Sequence, residues 1–164
     1  MKDFLQLVRS GLYGVCVADA LGVPVEFKRR EKLVANPVID MRGYGTYNQP
    51  PGTWSDDSSM TLALADSIGE KQGIHTHDIM DRFIWWYREG LYTPWGERFD
   101  FGHTTAQALM RYESGTEPVL CGGNKQFSNG NGSLMRILPI AYALYPRYGA
   151  NLSDYTKPME YIHK

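Results

Sequence analysis

The sequence predicts an all-α fold. Apolar residues recur at helical spacing in successive stretches of the chain, and most of these stretches open on a capping residue and stop at Gly or Pro. No alternating apolar–polar run of useful length competes for a strand. With 164 residues, 43% of them hydrophobic and 21% charged, the chain is long and apolar enough for one compact domain spanning 1–164.

The first helix is read from Phe4, Leu5, Val8, Leu12, Val15 and Val17, with Asp3 at its start and its end near Leu21 and Gly22, just before Pro24. Gly11, Gly14 and Ala18 give it a small-residue face on which another helix can pack. Residues 28–54 keep no helical period and are rich in Gly, Pro, Asn and Tyr. They read as one long ordered loop, and loops of that length inside a domain tend to be functional. Helical spacing returns over 57–68 (Met60, Leu64, Ile68), stopped by Gly69 or Gly73. It resumes from Thr76 or from His77 and Asp78 through Ile79, Phe83, Trp86 and Tyr87 to Gly90. Another helix starts at Thr104 or Thr105, runs through Ala108, Leu109 and Tyr112, and closes at Gly115. Ser133 is expected to cap a further one over 134–144, interrupted by Pro139 and ended by Pro146. Ser153 opens a last apolar face (Tyr155, Met159, Ile162) that stops at Lys164 without a closing Gly or Pro, the expectation for a fragment or a missing partner segment.

Lys and Arg total 17 and Asp and Glu 18, so the chain is near neutral and no basic stripe marks a nucleic-acid surface. A phosphate-bearing ligand must then be held locally, by backbone N–H groups, metal ions or a few side chains. Cys16 and Cys121 have no short spacing for metal binding and are too few for a disulfide framework. Cys16 reads as a buried reduced thiol in a cytoplasmic protein. The N-terminus is amphipathic rather than signal-like, and no run of eighteen or so apolar residues is expected to span a membrane.

Four segments carry chemistry. Residues 52–60 place Ser55, Asp56 and Asp57 where a loop becomes a helix. Adjacent carboxylates and a hydroxyl there suit a hard divalent cation, or else Ser55 or Asp56 simply caps the helix. Residues 19–27 put Asp19 at a helix end and Glu26 between Val25 and Phe27. A carboxylate there is either a solvated loop residue or one with a partner or a task. Residues 99–105 form an acid-plus-glycine turn, Asp100 to Thr105, that caps a helix or faces a ligand. Residues 128–136 alternate Asn and Gly before Ser133, Leu134, Met135 and Arg136, exposing backbone N–H groups that suit a phosphate or sugar hydroxyl.

In their order and separation these four segments resemble the ADP-ribosylglycohydrolase family, which includes the dinitrogenase reductase-activating glycohydrolases, from Gly11 through Arg136. The family's D-A-L-G-x-P-x-E-F pattern is met at 19–27, its T-D-D-T-x-M-type metal motif at 55–60, its D-x-G-N-T-T motif at 100–105 and its N-G-x-x-M-R motif at 131–136. The resemblance implies a compact orthogonal multi-helix bundle with long active-site loops, of which this chain is the N-terminal part. It implies Ser55, Asp56 and Asp57 as ligands of two Mg2+ (or Mn2+) ions, and Glu26, Asp100 and Asp56 as the catalytic carboxylates. It implies Gly102, His103, Thr104, Asn131, Gly132, Ser133 and Met135 as the loops that hold ADP-ribose.

The implied activity is hydrolysis of the glycosidic bond between ADP-ribose and a modified protein side chain, arginine above all, or a small acceptor. Carboxylates stabilise the oxocarbenium-like sugar and metal ions lower the pKa of a bound water. Asp100 or Glu26 is the base, and the sequence does not choose between them. His103 replaces the family's usual Asn, and Ala18 a frequent Gly. The family's second metal motif, Asp-x-Asp followed by Thr or Ser, is absent, so the two-ion site is expected to be incomplete in this chain. The competing expectation is a non-catalytic ADP-ribose-binding or structural relative. The expected partner is an ADP-ribosylated protein or small molecule, with no nucleic acid and no membrane, and the apolar face of the last helix favours self-association.

Overall fold

The computed structural model describes residues 2–126, 128–149 and 156. Among these the architecture is all-helical: α1 (Lys2–Gly22), α2 (Arg30–Ala35), α3 (Asp56–Lys71), α4 (Thr76–Glu89), α5 (His103–Glu113) and α6 (Leu138–Tyr148). Short 3-10 turns lie at Val23–Val25 and Pro118–Leu120. The expected helix after Ser153 lies outside the described residues.

The core is built on α3 and α4. Ile79, Phe83, Trp86 and Tyr87 of α4 fall at i, i+4, i+7 and i+8, so all four face Met60, Ala63 and Leu64 of α3, with Ala106 and Leu109 of α5 closing the cluster. Met60, Trp86 and Leu109 are sealed from solvent, and each such side chain contributes about 1.5–3 kcal/mol. α4 ends at Gly90, whose left-handed φ of 72° only glycine adopts freely, and a Cβ there would strike the Gly96 carbonyl. α1 lies across α3, and α6 packs on α1 at Gly11, where a Cβ would collide with the Tyr142 hydroxyl. Phe4 stacks on Tyr145 at 5.9 Å beside that contact.

Several sequence expectations are corrected. Gly11 receives a helix, but among the described residues a Cβ on Gly14 would meet nothing within 4 Å, and Ala18 lines a cavity. Cys16 is only partly buried, and Cys121 is the buried thiol. The segment Lys2–Val25 is long and apolar enough, by length and composition, to cross a membrane. Residues 28–54 are not one uninterrupted loop, because Arg30–Ala35 closes a short helix. α3 runs past Gly69 and ends on Gln72 with φ 55°, so neither Gly69 nor Gly73 stops it. Ser133 caps nothing. Residues 131–136 turn back on themselves, with Leu134 N and Met135 N donating to the Asn131 carbonyl, and α6 begins only at Leu138. Pro139 therefore sits in the first turn of α6, where its missing N–H costs nothing, and Pro146 lies inside the helix rather than ending it.

Candidate active site

The site begins with a cross-chain cap. Asp19, near the end of α1, reaches the start of α3 and accepts four hydrogen bonds. Its Oδ2 takes Ser55 N (2.9 Å), Ser58 N (3.0 Å) and Ser58 Oγ (2.6 Å), and its Oδ1 takes Ser55 Oγ (2.8 Å). Ser55 Oγ in turn accepts from Asp57 N at 3.3 Å, the local N-cap. Two orphan donors of the first turn are satisfied from a distant helix, and the turn carrying Asp56 and Asp57 is held in place.

A second anchor positions Glu26. Thr46 N donates to the Pro24 carbonyl (3.2 Å) and Thr46 Oγ1 to the Glu26 carbonyl (2.7 Å). Gly45 lies so close that a Cβ would strike Pro24 O. The hairpin-like segment around 44–49 is thereby strapped over residues 24–26. It brings Tyr47 beside Glu26, with its ring 5.3 Å from Phe99 and 6.5 Å from Phe27. Phe27 (φ 60°) and Asp100 (φ 47°) both sit in the left-handed region, at roughly 1–2 kcal/mol each.

These elements enclose a cavity of about 840 Å³. Asp19, Glu26, Ser55, Asp56, Asp57 and Asp100 face it, with Phe27, Gly102, Asn131 and Met135 at its edges. Of the expected site residues, the structure leaves four off this lining. His103 is exposed and bonds Gln107 at 2.9 Å, and Thr104 lies under Gly130. Gly132 packs on Thr105 and accepts from Arg136, while Ser133 lines a separate apolar pocket of about 340 Å³. Asp19, Phe27 and Tyr47 are the residues that sequence reasoning left without a site role. The Asp-Ala-Leu-Gly pattern marked Asp19 and Phe27 sits in the same motif, but nothing local marked Tyr47.

The electrostatics are those of uncompensated negative charge. Burial, then the charges of Asp100, Asp57 and Asp19, push the Asp56 carboxyl up to about 8. Burial, then a hydrogen bond and charge from Asp100, raise Glu26 to about 7, against a hydrogen bond donated by the Tyr47 hydroxyl. Burial and the charges of Asp19 and Asp100 raise Asp57. Among the described residues none of these carboxylates pairs with a Lys or Arg. Burial lowers the pKa of Arg136 to about 10, against the raising effect of the Asp56 charge. A hard divalent cation suits such an all-oxygen, negatively charged donor set. The set is nonetheless short of a full site, since among the described residues no three His, Cys, Asp or Glu side chains converge to hold one.

Comparison with known proteins identifies the family of the chain. A family model described as ADP-ribosylglycohydrolase matches residues 1–158. The ADP-ribosylarginine hydrolase Tri1 of Serratia proteamaculans is 34% identical over 85% of this chain and 37% of its own length. The ADP-ribosyl-[dinitrogen reductase] glycohydrolase of Rhodospirillum rubrum is 33% identical over 79% of this chain and 42% of its own. A solved structure, an ADP-ribosylglycohydrolase-related protein complex, superposes with a TM-score of 0.73 at 32% identity, covering 100% of this chain and 51% of that one. The chain thus spans about 37% to 51% of the length of these relatives.

Proposed function

The chain belongs to the ADP-ribosylglycohydrolase family, and from that premise we propose that it hydrolyses the glycosidic bond between ADP-ribose and a modified protein side chain, arginine first. The names of the Serratia and Rhodospirillum relatives support this substrate class. One observation carries the reading: five carboxylates drawn from three separated segments face a single cavity and, among the described residues, have no ion-pair partner.

Such a cavity suits a reaction that develops positive charge at the ribose anomeric carbon. It also favours entry of an alkylated guanidinium. Glu26, with its pKa near neutrality, is suited to exchange a proton at the reacting centre, and Asp100 beside it accepts the hydrogen bond of its protonated form. The Tyr47 hydroxyl steadies the ionised form of Glu26. Asp56 and Asp57, with Ser55 Oγ, would hold divalent cations, which supply a hydroxyl-binding and water-activating charge when bound. Gly102, Asn131 and Met135 would border the bound ADP-ribose. A cytoplasmic setting belongs to the same proposal and rests on two free thiols.

The test is release of ADP-ribose from an ADP-ribosylarginine peptide in millimolar Mg2+ and in EDTA. Release that needs both the metal and Asp56 is expected, and an unchanged rate in Asp56→Asn would remove the proposal. The lack of a converging three-ligand cluster among the described residues favours a second reading, an ADP-ribose-binding relative without turnover. Binding of ADP-ribose in EDTA with no release in excess Mg2+ would select it.

A further inference from the structure

Directly after Glu26 the charge of the chain reverses. Residues 28–32 read Lys-Arg-Arg-Glu-Lys in a protein whose net charge is only −1. Three of them line a groove of about 530 Å³ with Phe27, Leu33, Asn36 and Arg42; Lys28, Arg29, Lys32 and Arg42 supply its charged side chains, and no carboxylate of the described residues takes part. Arg42 fixes one side of it, donating to Asn36 Oδ1 at 3.0 Å and to the Pro37 carbonyl. Lys28, Arg29 and Lys32 are exposed, and among the described residues they make no ion pair.

Phe27 belongs to both the groove and the acidic cavity. Its left-handed backbone holds the ring 81% exposed on the ridge between them. We propose that the basic groove is a docking surface for an acidic stretch of the modified protein, lying beside the side chain that enters the cavity. The proposal rests on the functional reading above only in giving the cavity the modified side chain. A chain that placed one residue in the cavity would cross Phe27 and lay its neighbours over Lys28, Arg29 and Lys32. An acidic stretch would meet repulsion from the cavity alone, and the groove offsets it.

The phosphates of ADP-ribose are the other candidate anion, and the donors argue against them. Built phosphate sites converge their donors, backbone N–H groups or fixed Arg and Lys side chains, on one point. Here the donors are the ends of long, solvated side chains. Such an array steers and orients a charged partner rather than gripping a single group.

Fluorescence anisotropy on the whole chain tests this with four labelled probes. They are an ADP-ribosylarginine peptide with acidic flanks, the same peptide with neutral flanks, the acidic peptide unmodified, and ADP-ribose. The test variant is Lys28→Glu with Arg29→Glu and Lys32→Glu, and Lys2→Glu with Arg9→Glu and Lys125→Glu, three exposed residues outside the groove, is the remote control of equal net charge. Acidic flanks are expected to tighten binding about tenfold at low salt, the order given by three exposed charge pairs, with the advantage fading at high salt. The groove variant loses that advantage and the remote variant keeps it, while both bind ADP-ribose as the parent does. Equal affinity for acidic and neutral flanks overturns the proposal, as does an advantage that survives the groove reversal. A groove reversal that weakens ADP-ribose itself to the same extent also overturns it and assigns the groove to the phosphates. If the parent chain binds no ADP-ribose, the reading of the cavity fails. The unmodified acidic peptide then still decides the groove: salt-sensitive binding lost on reversal supports it, and no binding refutes it.

Discussion

Removing the Asp19 carboxylate tests the claim that a distant helix caps α3 and so builds the site. In Asp19→Ala the backbone N–H groups of Ser55 and Ser58 lose their acceptor, in residues that are 7% and 0% exposed. An unsatisfied buried donor costs about 1–3 kcal/mol, whereas the two serine hydroxyls can turn to other acceptors. The sum for two N–H groups, eased by water entering from the cavity, is about 3 kcal/mol. That is a large share of the stability of a domain this size, and corresponds to roughly 6–12 °C in Tm. Asp19→Asn keeps an acceptor oxygen but loses charge assistance, so about 1–2 kcal/mol is expected. Urea denaturation with matched m-values reads both. A loss under about 1 kcal/mol for the alanine variant, or an asparagine variant no better than alanine, would refute the capping argument.

Other outcomes follow from the same geometry. Asp56 and Glu26 have folded pKa values of about 8 and about 7 against ordinary values of 3.8 and 4.5, so the folded state binds more protons across that window. Stability therefore falls as pH rises from about 4 to about 8, and Asp56→Asn should raise it by ~1–3 kcal/mol at pH 8 and flatten the slope. Thermal melts of the two proteins across that range check this, and a parent whose stability rises with pH would contradict it. Millimolar Mg2+ should raise the Tm of the parent and not that of Asp56→Asn with Asp57→Asn, by mass action on the folded state. No shift in the parent would count against a hard-cation site. Gly45→Ala forces a Cβ onto the Pro24 carbonyl, so the strap over Glu26 should lift at a cost of about 1–3 kcal/mol and ADP-ribose binding should weaken. An unchanged melt and affinity would show that the strap does not position Glu26.

The helices were legible in sequence because their signals are local. The i, i+4, i+7, i+8 spacing of Ile79, Phe83, Trp86 and Tyr87 and the stop at Gly90 are fixed within one element, and the structure follows them. The region after Ser133 misled for a physical reason. Its apolar spacing fits a helix from 134 onward, but the turn closed on the Asn131 carbonyl wins, and Pro139 then serves as a first-turn residue. Of the site, the carboxylates were legible from their motifs. Tyr47 was not, because its place beside Glu26 depends on backbone hydrogen bonds between residues some twenty apart in sequence. His103, Thr104, Gly132 and Ser133 follow only from the resemblance of whole motifs, and adjacent residues on a turn or a helix start point in different directions. That is why Gly102 and Asn131 border the cavity and their neighbours do not.

The chain contains its own control for reading the acidic cavity as functional. Arg82 is buried between α3 and α4 and draws in Asp66, Glu70 and Asp78, with Tyr92 Oη at 2.9 Å. There burial pushes the Asp78 carboxyl up, but hydrogen bonds led by Arg82 outweigh it and bring Asp78 down to about 2. That is how a structural charge cluster is neutralised: a cation is supplied, and Asp78 ionises more easily than in water. Across α3 the opposite arrangement holds. Asp56, Asp57, Glu26 and Asp100 are gathered without an ion-pair partner among the described residues, the charges of Asp100 and Asp57 raising the cost of ionising Asp56 and Glu26, on a frame that also holds Phe27 and Asp100 in left-handed backbone. Both the repulsion and the strain oppose folding, and the Asp19 cap with the α3–α4 core offsets them. A packed core gains nothing from such an arrangement. A site that must meet incoming positive charge does, whether that charge is a metal ion, a guanidinium or a developing oxocarbenium.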